Sequence, residues 1–124
     1  MSVSNGLSLF AAAAMAAAPP IKVMTYNIRL DLNEGKASDS SEAWLADSGV
    51  HRRDLVTRIV QQVSPDLLGV QEALYNQVVD LDRALPAYAQ YGVGRDDGHE
   101  LGEYCTIYYR TERFEPRGQG TFWL

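Results

Sequence analysis

Two polar residues at the ends of short apolar runs carry the first chemical signal in this sequence. Asn27 closes the run that begins at Ile21 (Ile21-Lys22-Val23-Met24-Thr25-Tyr26-Asn27), and Glu72 closes a second run, Asp66-Leu67-Leu68-Gly69-Val70-Gln71. If both runs are neighbouring parallel strands, an amide oxygen and a carboxylate meet outside the carboxyl end of a sheet, where α/β proteins bind ligands. Both are hard oxygen donors. They suit Mg²⁺, which takes one or two carboxylates, keeps several waters and leaves other positions to substrate phosphate. Spacing alone leaves the plainer alternative open, since Asn and Glu at strand ends also serve as turn formers or solvated groups.

The elements that must position this pair follow from the hydrophobic pattern. Residues 21–28 are rich in β-branched and aromatic side chains and read as a buried first strand. Residues 30–49 are rich in Asp, Ser, Asn and Gly without a sustained period, and read as a long loop held to the core by Trp44. Residues 50–63 place Leu55, Val56, Ile59, Val60 and Val63 on one side of a helix, with His51, Arg52, Arg53, Asp54, Arg58 and Gln62 largely opposite. Ser64-Pro65 ends that helix, and residues 66–71 form a second short buried strand. Helical spacing returns over 73–85 through Leu74, Val78, Leu81 and Leu85, until Pro86 closes it. Runs of β type follow at 88–93, 104–110 and 114–124. The last of these stops inside an apolar stretch, which predicts an unpaired edge strand and aggregation of the isolated chain. Strand-helix-strand-helix order implies an α/β domain over residues 21–124, with the first two strands parallel.

With 46% hydrophobic and 22% charged residues in 124, the chain has the composition of a globular protein with a single core. Its formal net charge of −5 argues against a broad basic surface for nucleic acid. Cys105, the single cysteine, has no partner for a disulfide or structural zinc and reads as a small hydrophobe within a strand. No stretch reaches the roughly 18 consecutive apolar residues of a membrane span. Residues 7–18 have the length of a signal-peptide core with a small-residue cleavage site, but no Lys or Arg precedes them. Residues 1–20 thus read as an export signal or a disordered Ala-rich tail. The product is exported to the periplasm or medium in the first case and cytoplasmic in the second.

Val23-Met24-Thr25-Tyr26-Asn27-Ile28-Arg29, followed about forty residues later by Pro65-Asp66-Leu67-Leu68-Gly69-Val70-Gln71-Glu72, resembles the first two signature blocks of the endonuclease/exonuclease/phosphatase superfamily. Trp44 and Arg52-Arg53-Asp54-Leu55-Val56 are similar to the helix-leading segment of a bacterial branch. Tyr91-Gly92-Val93-Gly94-Arg95-Asp96-Asp97-Gly98 and Gly102-Glu103-Tyr104 resemble its third block, and Gly120-Thr121-Phe122-Trp123-Leu124 its next strand. The resemblance implies the N-terminal portion of a four-layered α/β sandwich, incomplete here. It implies a hydrolase that cleaves a phosphodiester or phosphomonoester with Mg²⁺ or Mn²⁺.

Carried over residue by residue, the resemblance makes Glu72 a metal ligand and places Asn27 at the metal-bound water and acids. It brings Glu103 near the substrate phosphate and lets Arg95 line the cleft. For Glu103 a cross-strand or surface carboxylate is the alternative; for Arg95, Asp96 and Asp97, a solvated turn. Gln71 is expected on the opposite face from Glu72, bonded to a nearby loop or sharing the site. His51 and His99 read as solvated surface residues. The family's later Asp, Asn and Asp-His residues are not in this chain, which is therefore expected to be inactive or nearly so by itself. The alternative is a half-fold that binds without catalysis, or a pseudoenzyme. Substrate class and oligomeric state are open at this stage.

Overall fold

The structure, a computed structural model, describes residues 18–38, 43–46 and 49–123. The leader-like run at 7–18 therefore lies outside the described residues apart from Ala18, as do parts of the long loop and Leu124. The elements run β1 (Val23–Asn27), α1 (Arg52–Val63), β2 (Leu67–Ala73), α2 (Tyr75–Ala84), β3 (Tyr88–Tyr91) and β4 (Tyr104–Arg110). They form a four-stranded sheet of order β1-β2-β4-β3. β1 and β2 are parallel, with Asn27 beside Gln71, while β2–β4 and β4–β3 are antiparallel.

Alternation along the strands separates a packed face from an open one. Leu68, Val70 and Ala73 of β2, with Tyr104 and Tyr108 of β4, share one core with Val56 and Val60 of α1 and Val78 and Leu81 of α2. Both helices therefore cover the same side of the sheet. Met24 and Tyr26 of β1 border that core, whereas Val23, Thr25 and Asn27 are exposed, so β1 is a half-covered edge strand rather than the buried strand expected. Ile107 and Cys105 lie on the open face of β4. Cys105 thus sits in a strand, but in the open rather than the packed set.

Within α1 only Val56 and Val60 are buried, an i, i+4 stripe; Leu55 and Ile59 remain 46% and 39% exposed. The wider apolar side read from the sequence narrows because a helix lying on a sheet presents one row of side chains to it. Ser64 ends α1 in the left-handed conformation, φ +51°, with its N–H donating to Val60 O at 2.7 Å before Pro65. Trp44 holds the loop down: it is fully buried, and its indole N–H donates to Asp80 Oδ2 at 2.9 Å. His51 is half-buried, and its Nδ1 accepts the Ala46 N–H at 3.2 Å. It is a loop-closing group, not a solvated one. His99 is exposed. Residues 114–123 form no strand, and the expected terminal edge strand is absent there. Trp123 instead lies over the 94–102 loop, its Nε1 donating to Arg95 O at 2.8 Å. No described helix is long and apolar enough to cross a membrane.

Candidate functional site

An irregularity in β2 builds the acid-bearing end of the sheet. Val70 faces Thr106 and Ala73 faces Tyr104, so Gln71 and Glu72 together oppose Cys105 alone. Such a bulge re-aims side chains and breaks the two-residue alternation. Strict alternation after Leu68 and Val70 would send residue 72 into the core. Here Ala73 takes the buried place, and Glu72 adopts φ +61°. That left-handed backbone costs a residue with a Cβ about 1–2 kcal/mol, and outliers of this kind gather at functional sites.

The outcome is read from the partners on β1. Thr25 and Asn27 are two apart and share a face. Gln71 Nε2 donates to Thr25 Oγ1 at 3.1 Å, and Asn27 Nδ2 donates to Glu72 Oε1 at 2.7 Å. Adjacent residues of β2 thus reach the same face of β1, which only the extra residue permits. Gln71 is not on the face opposite to Glu72, and its partner belongs to a strand and not a loop. Asn27 is itself oriented, since its Oδ1 accepts the Arg29 N–H at 2.9 Å and Arg29 turns the chain with φ +62°. No cation is paired with Glu72 among the described residues, and the carboxylate is half-exposed.

Arg95 and Glu103 come together elsewhere. Arg95 forms ion pairs with Glu103 at 3.6 Å and with Asp96 at 3.3 Å. Both Arg95 and Glu103 border a cleft of ≈ 550 Å³ whose walls include Tyr91, Ile107, Phe122 and Trp123. Neither Asn27 nor Glu72 lines it. The loop between these two acidic partners is organised by Asp97, whose Oδ1 accepts the N–H groups of His99 at 2.8 Å and Leu101 at 3.0 Å. The Leu101 amide, then that of His99, holds the Asp97 carboxyl below the usual range. Asp97 is therefore committed to its own turn. Nearby, Tyr75 stacks on Tyr104 with centroids 6.5 Å apart, and its bond to Glu100 raises its hydroxyl's pKa.

Two buried polar residues behind the Asn27–Glu72 pair escape sequence reasoning. Asp31 is fully buried; its carboxylate accepts the N–H groups of Asn33 at 3.1 Å and Gly35 at 2.6 Å and the Asn76 amide at 2.9 Å. Gln77, also fully buried, accepts the Leu74 N–H at 2.9 Å. Its one visible signal is a Gln three residues into a helix, the position that reaches back to an N-cap amide.

The chain and its fold resemble known proteins. Residues 24–122 match the profile of the Endonuclease/Exonuclease/phosphatase family. An endonuclease/exonuclease/phosphatase from Bacteroides vulgatus is 35% identical, with a TM-score of 0.67 over 79% of this chain and 34% of its own. A mannosyl-6-phosphatase from Bacteroides thetaiotaomicron is likewise 35% identical, with a TM-score of 0.68 over 82% of this chain and 35% of its own. No curated protein matches. The chain spans about a third of the length of these solved structures. With its mixed sheet, its helices on one face and a sequence match running from β1 past β4, the chain belongs to the Endonuclease/Exonuclease/phosphatase family.

Proposed function

We propose that this chain is part of a divalent-cation-dependent phosphoesterase that hydrolyses a phosphate mono- or diester, with Glu72 as a cation ligand. The observation that carries the reading is the Asn27–Glu72 pair. A bulge and a left-handed residue bring a carboxylate to a half-exposed position where its bonding partner is a neutral amide at 2.7 Å. A carboxylate with no cationic partner among the described residues, at the carboxyl end of parallel strands, fits the donor set of Mg²⁺ or Mn²⁺. Among the described residues no three His, Cys, Asp or Glu side chains gather to hold a metal. The fit is therefore to an ion that keeps water and takes phosphate oxygens. When bound, such an ion neutralises charge developing on the phosphoryl oxygens.

The chain's own residues then hold geometry. Asn27, fixed through its oxygen by the Arg29 N–H, presents Nδ2 to Glu72 Oε1, so that the second carboxylate oxygen would be the one to hold a cation. Asn27 is assigned this orienting role in preference to direct ligation. Arg95, already compensated by Glu103 and Asp96, borders the neighbouring cleft, where its charge meets a substrate only after exchanging partners. Because one similar structure is described as a mannosyl-6-phosphatase, a sugar phosphate monoester is the first substrate to try. Nucleic acid ranks behind it, given the net charge of −5. Complete activity is proposed for the whole protein, with this chain alone inactive or nearly so, because it spans only about a third of those relatives.

The test is to titrate Mg²⁺ and Mn²⁺ into the product of the complete reading frame while following release of phosphate from a sugar phosphate and cleavage of a phosphodiester. Metal-dependent turnover that disappears in Glu72→Gln supports the reading. Turnover that persists in that variant, or that ignores chelation, removes Glu72 from the site.

A further inference from the structure

We propose that Gln77 is the positioning residue of the Asn27–Glu72 pair: its buried side-chain amide clamps together the two chain segments that leave β1 and β2. The inference rests on the reading of that pair as the metal site, but its geometry stands by itself. Gln77 Oε1 accepts the N–H of Asp31 at 3.0 Å and that of Leu74 at 2.9 Å, and Nε2 donates to the carbonyl of Arg29 at 3.0 Å. The Leu74 bond alone is helix capping and would be explained by Gln77 standing third in α2. The other two bonds reach 46 and 48 residues back along the sequence, and capping does not require them.

What they join is specific. From Gln77 one path runs to the Arg29 carbonyl, through Arg29 to its N–H, and on to Asn27 Oδ1 at 2.9 Å. The other runs to Leu74 and, two residues back, to Glu72. The Asn27–Glu72 bond at 2.7 Å closes the circuit. Of the two residues with left-handed backbone in this circuit, Arg29 lies between Gln77 and Asn27, and Glu72 is the pair's own acid. Strained conformations persist where surrounding contacts over-determine them, and one side chain with every polar atom engaged supplies that restraint to both segments. A glutamine suits the place because it presents an acceptor for two N–H groups and a donor for a carbonyl from one neutral planar group. Asn76, donating to Asp31 Oδ2 at 2.9 Å, adds a second tie between α2 and the same loop.

The test uses the full chain and two variants. Gln77→Met keeps the volume and removes all three bonds; Gln77→Glu keeps the acceptor and loses the donor to Arg29. Val60→Ala, in the core beneath α1, serves as a control destabilised without touching the circuit. The ¹H–¹⁵N signal of the Asn27 side-chain amide is followed without metal, and Mn²⁺ affinity by calorimetry. Expected is a shift of the Asn27 signal toward that of a free amide in both Gln77 variants, unchanged in Val60→Ala. With it goes a roughly tenfold rise in the Mn²⁺ dissociation constant, the scale for residues that orient ligands. An unmoved Asn27 signal in a folded Gln77 variant overturns the proposal, as does an equal shift in Val60→Ala. If the wild type binds no Mn²⁺, the metal reading falls and the clamp is decided by the Asn27 signal. If neither variant folds, wild-type hydrogen exchange decides it: Asp31 and Leu74 N–H protected together supports the clamp, and a freely exchanging Asp31 N–H overturns it.

Discussion

The sheet carries a carboxylate at each end, and the two are treated in opposite ways. Asp66, just before β2, is almost fully buried: it accepts the Lys22 N–H at 2.8 Å and pairs with Arg113 at 2.5 Å and Arg110 at 3.8 Å. Arg110 also bonds Ser64 and lies over the Tyr88 ring, so β4, β3 and the end of α1 are tied into one network there. The Lys22 amide leads the effects that hold the Asp66 carboxyl below its usual range, with the two arginines adding to it against desolvation. Glu72, at the far end, is given a neutral amide and a strained backbone. A buried charge is kept with its partners and hydrogen bonds; a charge kept at the surface without them is available to something else. The contrast separates a carboxylate that fastens the fold from one that, on the proposed reading, is held for a cation.

The sharpest way to break this comparison is Glu72→Gln. In the whole protein it should lower metal-dependent hydrolysis about a thousandfold, or about 4 kcal/mol, while the melting temperature stays within a degree or two. A large drop in melting temperature instead would make Glu72 a structural carboxylate like Asp66.

The mirror variant is Asp66→Asn, which should lower thermal stability at neutral pH and leave the response to Mg²⁺ unaltered. Because the folded pKa of Asp66 lies below the unfolded value of about 3.9, its contribution is present above that value and lost as pH falls through the folded one. Calorimetric melts from pH 7 to 2 should therefore show the gap between wild type and variant closing in acid. A constant gap would mean that the network stabilises by packing alone.

Asn27→Asp sharpens the difference from the other side by placing a second carboxylate at the 2.7 Å contact. Without metal the protein should lose about 1 kcal/mol, the scale of an exposed charge pair, and Mg²⁺ should raise its melting temperature more than that of the wild type. Equal responses in chemical or thermal melts would argue against a cation between the two groups. The smallest effect is expected for Glu72→Gly, a net gain of about 0.5 kcal/mol, since relief of the left-handed penalty slightly exceeds the entropy glycine adds to the unfolded chain. Denaturant melts resolve that gain; a loss would show that the acid itself stabilises its end of the sheet.

Much of this was legible in the residues, and the rest was hidden for identifiable reasons. The order of strands and helices, the stop at Ser64-Pro65 and the burial of Trp44 follow from period, proline and a lone large aromatic in a polar loop. The exposure of Leu55 and Ile59 does not, because apolar content marks a helix face without telling how wide a strip the sheet will cover. Phe122 and Trp123 look like strand residues, yet no neighbouring strand among the described residues takes up their hydrogen bonds, and they are 80% and 56% exposed. The meeting of Asn27 and Glu72 could be anticipated from two strand ends. How they meet could not, since Gln71-Glu72 reads as two successive residues of opposite orientation until the bulge is seen. Gln77 is the least legible of all, because two of its three bonds join residues more than forty positions apart.

The extra residue in β2 makes the acid's address a matter of parity. Only the two-for-one count between Val70 and Ala73 lets Gln71 and Glu72 both meet β1 on the open face while Ala73 keeps its buried place. Deleting Gln71 alone would erase the bulge and return the strand to strict alternation, with Ala73 still buried and the acid left outward on regular backbone, without its neighbour's tie to Thr25. In a lineage of such proteins the length of this strand is expected to stay fixed as strictly as its acid and its core residues, because a lost or added residue changes how the acid is presented even where no side chain is replaced.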